Sequence, residues 1–362
     1  MTDALFTLLR AGLWGLRIED QGPFPLSDKK WVCLFEEARK QTVTGIVYRG
    51  ITLLPEVFMP PIPILTKWVA EVDRIERNNH KMNSALEALI QMYDKQGISP
   101  IVLKGQSVAA MYDTPEWREC GDIDLYIREE DRAKVLRILQ DTGIEHEKHA
   151  DNSICYKYQG IDVEHHAEMI DIETPSKKKR ITAIIEEEGY SQDANIKTLA
   201  HTTNLLMLNS HIMKHAIGRG VGLRQLCDMA RAYHTCHQTI DYKHLTKLYH
   251  DAGIEKWSIL LHTFLVRHLG LPSDEQPYKN LEHIDTEPLY AIILQGGNFG
   301  LHHANTPKTT TAWGRKMQTL NAFWSNRKFA WKYARKEAFW TALNLCICLL
   351  YTSDAADERS SV

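Results

Sequence analysis

The sequence predicts an α+β protein: a small mixed β-sheet core flanked by helices, set between a helical N-terminal region and a helical C-terminal region. Three observations carry this expectation. Apolar residues recur at threes and fours before Gly97 and after Pro175, the spacing of amphipathic helices. Between those stretches the chain turns to short apolar runs, some alternating with acidic residues, which is the period of strands. The composition is that of an ordinary folded chain, 44% hydrophobic and 25% charged, so neither disorder nor a collagen or disulfide scaffold accounts for the pattern.

The elements follow in order. After the turn-rich stretch from Gly22 to Asp28, the positions Trp31, Leu34, Phe35, Ala38, Val43 and Ile46 predict an amphipathic helix within Lys29 to Ile51. Pro55, Pro60, Pro61 and Pro63 interrupt it, and a second helix runs from Ile64 to Gln96, stopped by Gly97 as a C-cap residue. Residues 1–97 therefore form a helical N-terminal segment. The core, residues 98–171, reads as a strand at Ile98 to Leu103, a helix at Gln106 to Tyr112, a strand at Ile123 to Ile127 and a helix at Glu129 to Asp141. Strands follow at Cys155 to Tyr158 and Ile161 to His166, joined by Gln159-Gly160 as a two-residue hairpin turn. Residues 172–347 read as helical nearly throughout, with helices at Ile196 to Ile217, Gly222 to Cys236, Tyr242 to Ala252 and Ile254 to Leu269, and a loop near Leu271 to Glu287. Within residues 348–362, Cys348 to Glu358 reads CLLYTSDAADE, which resembles translated sequencing-adapter read-through. This tail is expected not to be native, with the natural chain continuing beyond Ile347.

Charge and composition exclude several classes. A net charge of -3 and a pI near 6.6 argue against a surface that is basic overall, so nucleic acid is not the expected partner. No basic-then-apolar secretory pattern opens the chain, and no window approaches the roughly 18 apolar residues of a membrane span. Seven scattered cysteines without a CxxC pair fit a reduced cytoplasm rather than a structural zinc site.

The chemistry concentrates in the core. Gly121-Asp122-Ile123-Asp124-Leu125 places two carboxylates on one face of a strand while Ile123 and Leu125 turn to the core, an arrangement that can share divalent cations. By itself the triplet is weak, since a chain this acidic contains about six such triplets by chance. Its context is more specific. Upstream lies Leu103-Lys104-Gly105-Gln106-Ser107, a strand-to-helix turn whose glycine allows close backbone approach and whose amides can face phosphate. Downstream, Asp162, Glu164 and His166 share a face of a later strand, so a third carboxylate can join the pair.

This order of pieces resembles the DNA polymerase β-like nucleotidyltransferase superfamily. More narrowly, it resembles the poorly characterised bacterial nucleotidyltransferase group whose core reads LKG, then an arginine and DIDL, then an acid-x-His strand. His211 and the segment Gly222-Leu223-Arg224-Gln225-Leu226-Cys227-Asp228-Met229-Ala230 are similar to that group's helical region. The resemblance covers roughly Ile98 to Trp257. It implies a cytoplasmic enzyme that moves a nucleoside monophosphate from a triphosphate such as ATP to a hydroxyl of a small molecule, peptide or protein, using two magnesium ions. Asp122, Asp124 and Glu164 would be the catalytic, metal-binding carboxylates, with Glu164 also activating the attacking hydroxyl and able to accept its proton, and Lys104, Gly105, Ser107 and Arg118 would contact the triphosphate. One departure stands out: the superfamily's turn is Gly-Ser, and here Gln106 separates Gly105 from Ser107.

Plainer readings stand beside these. Asp122 and Asp124 can be a solvated pair at a strand edge, Asp162 faces the same way as Glu164 and can replace it, and Lys104 and Arg118 can be ordinary surface charges. His211, Arg224 and Asp228 can form a network that docks the helical region on the sheet, or can line an acceptor pocket. A catalytically idle nucleotide-binding module is the first alternative function. A metal hydrolase built on His166 and the helical pair His211 and His215 is the second, although no HExxH is present. Finally, Lys308 to Lys336 carries eight basic residues and no acid, interleaved with aromatics, which reads as an amphipathic helix packed through its rings or as a surface for an anionic partner.

Overall fold

The computed structural model describes residues 2–18, 22–149, 151–193, 196–296 and 312–357. The chain begins with α1 (Thr2–Trp14), α2 (Asp28–Lys40), α3 (Thr44–Ile51) and the 33-residue α4 (Ile62–Asp94). The helix expected within Lys29 to Ile51 is thus two helices. The backbone turns at Thr42, whose φ of 52° no helix continues through. Glycines let α1 and α3 cross closely: a Cβ on Gly12 would stand 1.9 Å from the Ile46 carbonyl oxygen, and one on Gly50 would stand 2.1 Å from that of Leu8.

The core follows as β1 (Ile101–Val102), α5 (Gln106–Ala109), β2 (Ile123–Tyr126), α6 (Glu129–Asp141), β3 (His146–Lys148), β4 (Ile154–Tyr158) and β5 (Ile161–His166). The five strands form one mixed sheet in the order β1-β2-β5-β4-β3, in which β2 and β5 are parallel and the other pairs antiparallel. The strand expected at Ile98 to Leu103 and the helix expected at Gln106 to Tyr112 are both shorter than their apolar runs. β3 carries the sequence His-Glu-Lys, which has no apolar signal; it exists because β4 offers it a free edge.

Alternation along the strands divides the sheet into two faces. Ile123, Leu125, Ile154, Tyr156 and Val163 are buried with Met82, Leu86, Leu89 and Tyr93 of α4 and with Val135 and Leu139 of α6. His165 belongs to this face; it is buried between Tyr93 and Tyr156, and burial pushes its imidazole down to about 3. The opposite face presents Asp124, Glu164 and His166.

The remaining elements are α7 (Pro175–Glu188), a hairpin of β6 (Tyr190–Asp193) and β7 (Ile196–Leu199), α8 (His201–Ile217), α9 (Leu223–Cys236), α10 (Tyr242–Ala252), α11 (Glu255–Leu269), α12 (Glu287–Gly296), α13 (Ala312–Tyr333) and α14 (Arg335–Asp357). The helix expected from Ile196 therefore starts five residues later. Ile196 to Leu199 pairs with Tyr190 to Asp193 instead, a choice made by hydrogen bonding to a partner strand rather than by local spacing. In this region α8, α9 and α11 share the large core with α1 and α3.

α14 is tied to α7 by Glu337. This side chain is buried and accepts from the backbone N–H of Glu173 at 2.5 Å and from the Thr174 hydroxyl at 2.6 Å. On α13 the aromatics divide: Phe323 is buried and Phe329 packs against Trp257, while Trp324 and Trp331 stay exposed. Lys308 and the residues after 357 lie outside the described residues, as do the side chains of Trp313 and of residues 348–357. No helix among the described residues is long and apolar enough to cross a membrane.

Candidate active site

The carboxylate strand is held by its neighbours. β2 is a central strand between β1 and β5, and its parallel register with β5 sets Asp124 directly opposite Glu164 and Tyr126 opposite His166. The side chains of Asp124, Glu164 and His166 consequently emerge together, and their ligand atoms lie within 4.8 Å of one another. Asp162, two residues before Glu164 on the same face, is carried away from Asp124 by that register. It is exposed and pairs with Lys157 at 2.6 Å.

The helical region roofs this part of the sheet. Between them lies a cavity of about 290 Å³ bordered by Lys104 and Gly105 from the β1–α5 turn, by Asp122, Asp124, Glu164 and His166 from the sheet, and by side chains of α8 and α9. Of the residues singled out from sequence, Arg118, His211, Arg224 and Asp228 also line it. Ser107 does not: its hydroxyl donates to the Lys104 carbonyl at 3.2 Å, so it is spent on the turn. Gly105 has φ of 60°, a conformation that an L side chain adopts only with strain. Gln106, which occupies the place of the expected serine, is buried with neither amide atom hydrogen-bonded.

Charge is densest around Asp124. Its Oδ1 lies 3.2 Å from Lys104 Nζ and accepts a hydrogen bond from His166 Nε2 at 2.6 Å. Burial alone would raise this carboxyl, but Lys104 and His166 hold it far below the usual range. Lys104 in turn stays protonated: burial works against its charge, and Asp124 with Asp171 outweighs it. Asp122 behaves oppositely, its carboxyl raised by burial and by the like charge of Asp124.

Two features were not visible in the sequence. Asp171, beyond β5, is a half-buried anchor: His211 Nδ1 donates to its Oδ2 at 2.8 Å and Lys214 Nζ to its Oδ1 at 2.6 Å. Burial raises the Asp171 carboxyl, but Lys214 and His211 keep it well below its ordinary value. No motif marks this aspartate, which gains its partners from a helix some 40 residues later. The second feature is the partner of Asp228 on α9: the sequence placed it in a docking network with His211 and Arg224, and the structure pairs it with Arg118. Its carboxylate takes Arg118 Nε at 3.1 Å and Nη2 at 2.6 Å, and it also accepts from the Tyr112 hydroxyl at 2.8 Å. Arg224 donates to the Glu119 carbonyl at 2.8 Å. Arg118, Arg224 and Asp228 thereby dock α9 on the segment leading into β2 while bordering the cavity.

The donor set fits a divalent cation. Asp124 and Glu164 offer hard oxygen ligands and His166 a nitrogen at the same spot, and the raised carboxyl of Asp122 beside them marks negative charge that a cation would relieve. The helical histidines His211 and His215 are not in this three-ligand group.

A carboxylate cluster on two parallel strands, a lysine-glycine turn beside it and a helical roof are the arrangement that the nucleotidyltransferase resemblance implies. The chain belongs to the family described as uncharacterised nucleotidyltransferase, whose profile matches residues 27–270. No curated protein and no solved structure matches the chain.

Proposed function

We propose that the protein is a magnesium-dependent enzyme of the bacterial cytoplasm that transfers a nucleoside monophosphate from a triphosphate to a hydroxyl of an acceptor: a small molecule, a peptide or a protein. The observation that carries this reading is the convergence of Asp122, Asp124 and Glu164 on one cavity that also presents Lys104, Arg118, Lys214 and Arg224. Acidic residues for cations and basic residues for a polyanion, lining one cavity, suit a metal-bound triphosphate. Asp122, Asp124 and Glu164 would hold two magnesium ions, with His166 orienting Asp124 through its hydrogen bond. Magnesium bound there supplies charge neutralisation and polarisation of phosphate oxygens.

The chain's own groups account for the rest. The acceptor oxygen attacks the α-phosphorus, the bond from that phosphorus to the bridging oxygen breaks, and pyrophosphate leaves. Lys104, half-committed to Asp124, and the cavity's other cations offset the charge that develops on pyrophosphate. The Gly105 turn lets the backbone approach the phosphates without a side chain in the way.

The test is incubation of the purified protein with each α-labelled nucleoside triphosphate, magnesium and a lysate of bacterial cells. Labelled product is expected with the wild type and not with Asp122→Ala or Asp124→Ala. A second reading, triphosphate binding without turnover, draws on one observation: Lys104 and His166 both contact the same oxygen of Asp124, so this carboxylate is already compensated without a metal. Tight triphosphate binding with no labelled product in any lysate would favour it.

A further inference from the structure

Transfer from a hydroxyl releases a proton, and the three carboxylates are poor places for it. Asp124 is held far below the ordinary range by Lys104 and His166, and Asp122 and Glu164 are the groups assigned to cations. A carboxylate that neutralises a metal has little basicity left.

His211 is a different kind of group. It projects from α8 to the edge of the same cavity and its side chain keeps 14% exposure. Its Nδ1 lies 2.8 Å from Asp171 Oδ2, and Asp171 is an ionised carboxylate that can only accept, so the imidazole proton is on Nδ1. A neutral imidazole protonated at Nδ1 carries a lone pair on Nε2, which can take a proton but cannot donate one to a phosphate oxygen. Lys214 on Asp171's other oxygen, 2.6 Å away, fixes the carboxylate in turn. The ring of His215, edge-on at 4.5 Å, packs against His211 from one turn further along the helix. Burial and the nearby Lys104 pull the His211 imidazole down to about 4, so it is neutral and open to a proton at physiological pH, and it becomes an effective base once the negative charge of a bound triphosphate offsets Lys104.

We propose that His211, held in one tautomer by Asp171, is the general base that accepts the proton of the attacking hydroxyl. The inference rests on the nucleotidyl-transfer reading above. As the acceptor oxygen bonds to the α-phosphorus and the bond to the bridging oxygen breaks, the hydroxyl proton moves to His211 Nε2. Pyrophosphate departs with the electron pair of the broken bond. The resulting imidazolium is stabilised by Asp171 and then yields its proton to solvent. His211 is the catalytic residue of this pair and Asp171 the positioning residue, a division of labour known from serine-hydrolase triads.

Two measurements on the full chain test it. The first is nitrogen NMR of protein labelled with ¹⁵N-histidine, in which the His211 signals are identified as those missing from His211→Gln. At pH 7 the wild type is expected to show a protonated Nδ1 and a bare Nε2, and Asp171→Asn to relax that preference. The other histidine signals report whether each variant is folded. A wild-type His211 that is protonated at Nε2, or doubly protonated at pH 7, overturns the proposal without reference to activity.

The second measurement compares release of pyrophosphate from the magnesium triphosphate that the wild type consumes with binding of its non-cleavable α,β-methylene analogue. His211→Gln is expected to lower kcat by about 10²- to 10⁴-fold, the range of general-base catalysis, while leaving analogue affinity unchanged. Unchanged kcat in His211→Gln overturns the base. Loss of analogue binding does so too, by making His211 a nucleotide ligand. An inert wild type instead sinks the nucleotidyl-transfer reading and the base with it, so the two failures are told apart.

Discussion

Asp228→Asn is expected to destabilise the protein by about 3–5 kcal/mol, the cost of breaking a buried ion pair from one side. The geometry sets that size. The side chains of Arg118 and Asp228 are each 6% exposed, and the carboxylate receives two guanidinium hydrogen bonds, at 3.1 and 2.6 Å, besides that of Tyr112. Asparagine keeps the shape but removes the charge, which leaves the guanidinium desolvated without a counter-ion. Arg118 is so little exposed that water at the cavity border replaces little of the lost charge. Equilibrium urea unfolding at neutral pH measures the loss directly as a shift in midpoint. The double variant Arg118→Met, Asp228→Leu is expected to recover most of the stability, since apolar replacements of similar volume offset the lost attraction with saved desolvation. A loss below about 1 kcal/mol in Asp228→Asn, the range of a solvent-exposed pair, would refute the buried bidentate bridge. The stable double variant also isolates the chemistry of Arg118: folded protein without nucleotide affinity would give Arg118 a phosphate role beyond docking.

Further perturbations address other parts of the molecule. Asp122→Asn should abolish transfer yet leave stability equal or higher, because the Asp122 carboxyl is raised in the folded state by burial and Asp124 and therefore weakens the fold at neutral pH; a clear drop in the unfolding midpoint would count against this. His165 and His262, pushed down by burial to about 3 and about 4, bind protons in the unfolded chain before they do so in the folded one. Stability is thus fully present above about pH 6.5 and falls with acid at up to about 1.4 kcal/mol per pH unit for each. His165→Phe should flatten that decline between pH 6 and 4 in a series of urea titrations. Gly50→Ala should destabilise by about 1–3 kcal/mol by driving α3 off α1, where the added Cβ would meet the Leu8 carbonyl oxygen at 2.1 Å, and a Tm equal to wild type would refute the close crossing.

Much of the site was legible because local pattern and local structure coincide there. In Gly-Asp-Ile-Asp-Leu and in Ile-Asp-Val-Glu-His-His the alternation of acid and apolar residues is itself the strand, so the polar face could be read directly from period two. Lys104-Gly105 was legible for the same reason: an apolar run ending at a glycine of positive φ marks a turn wherever it occurs. Where local and long-range preferences disagree, reading failed. Ile196 to Leu199 has helical spacing and forms a strand because Tyr190 to Asp193 pairs with it, and the polar β3 exists only because β4 presents an edge.

What the sequence by itself determined is the α+β class, the helical flanks and the strands that carry Asp124 and Glu164, since each depends on residues within one or two turns of chain. The tertiary structure alone decided the rest. It chose Glu164 over Asp162 as the neighbour of Asp124, through the register of two parallel strands. It joined Arg118 to Asp228 across 110 residues, and it gave His211 its anchor in Asp171. These are juxtapositions of polar side chains from separate elements, and a buried charge takes whichever partner the packing of those elements brings within hydrogen-bond reach.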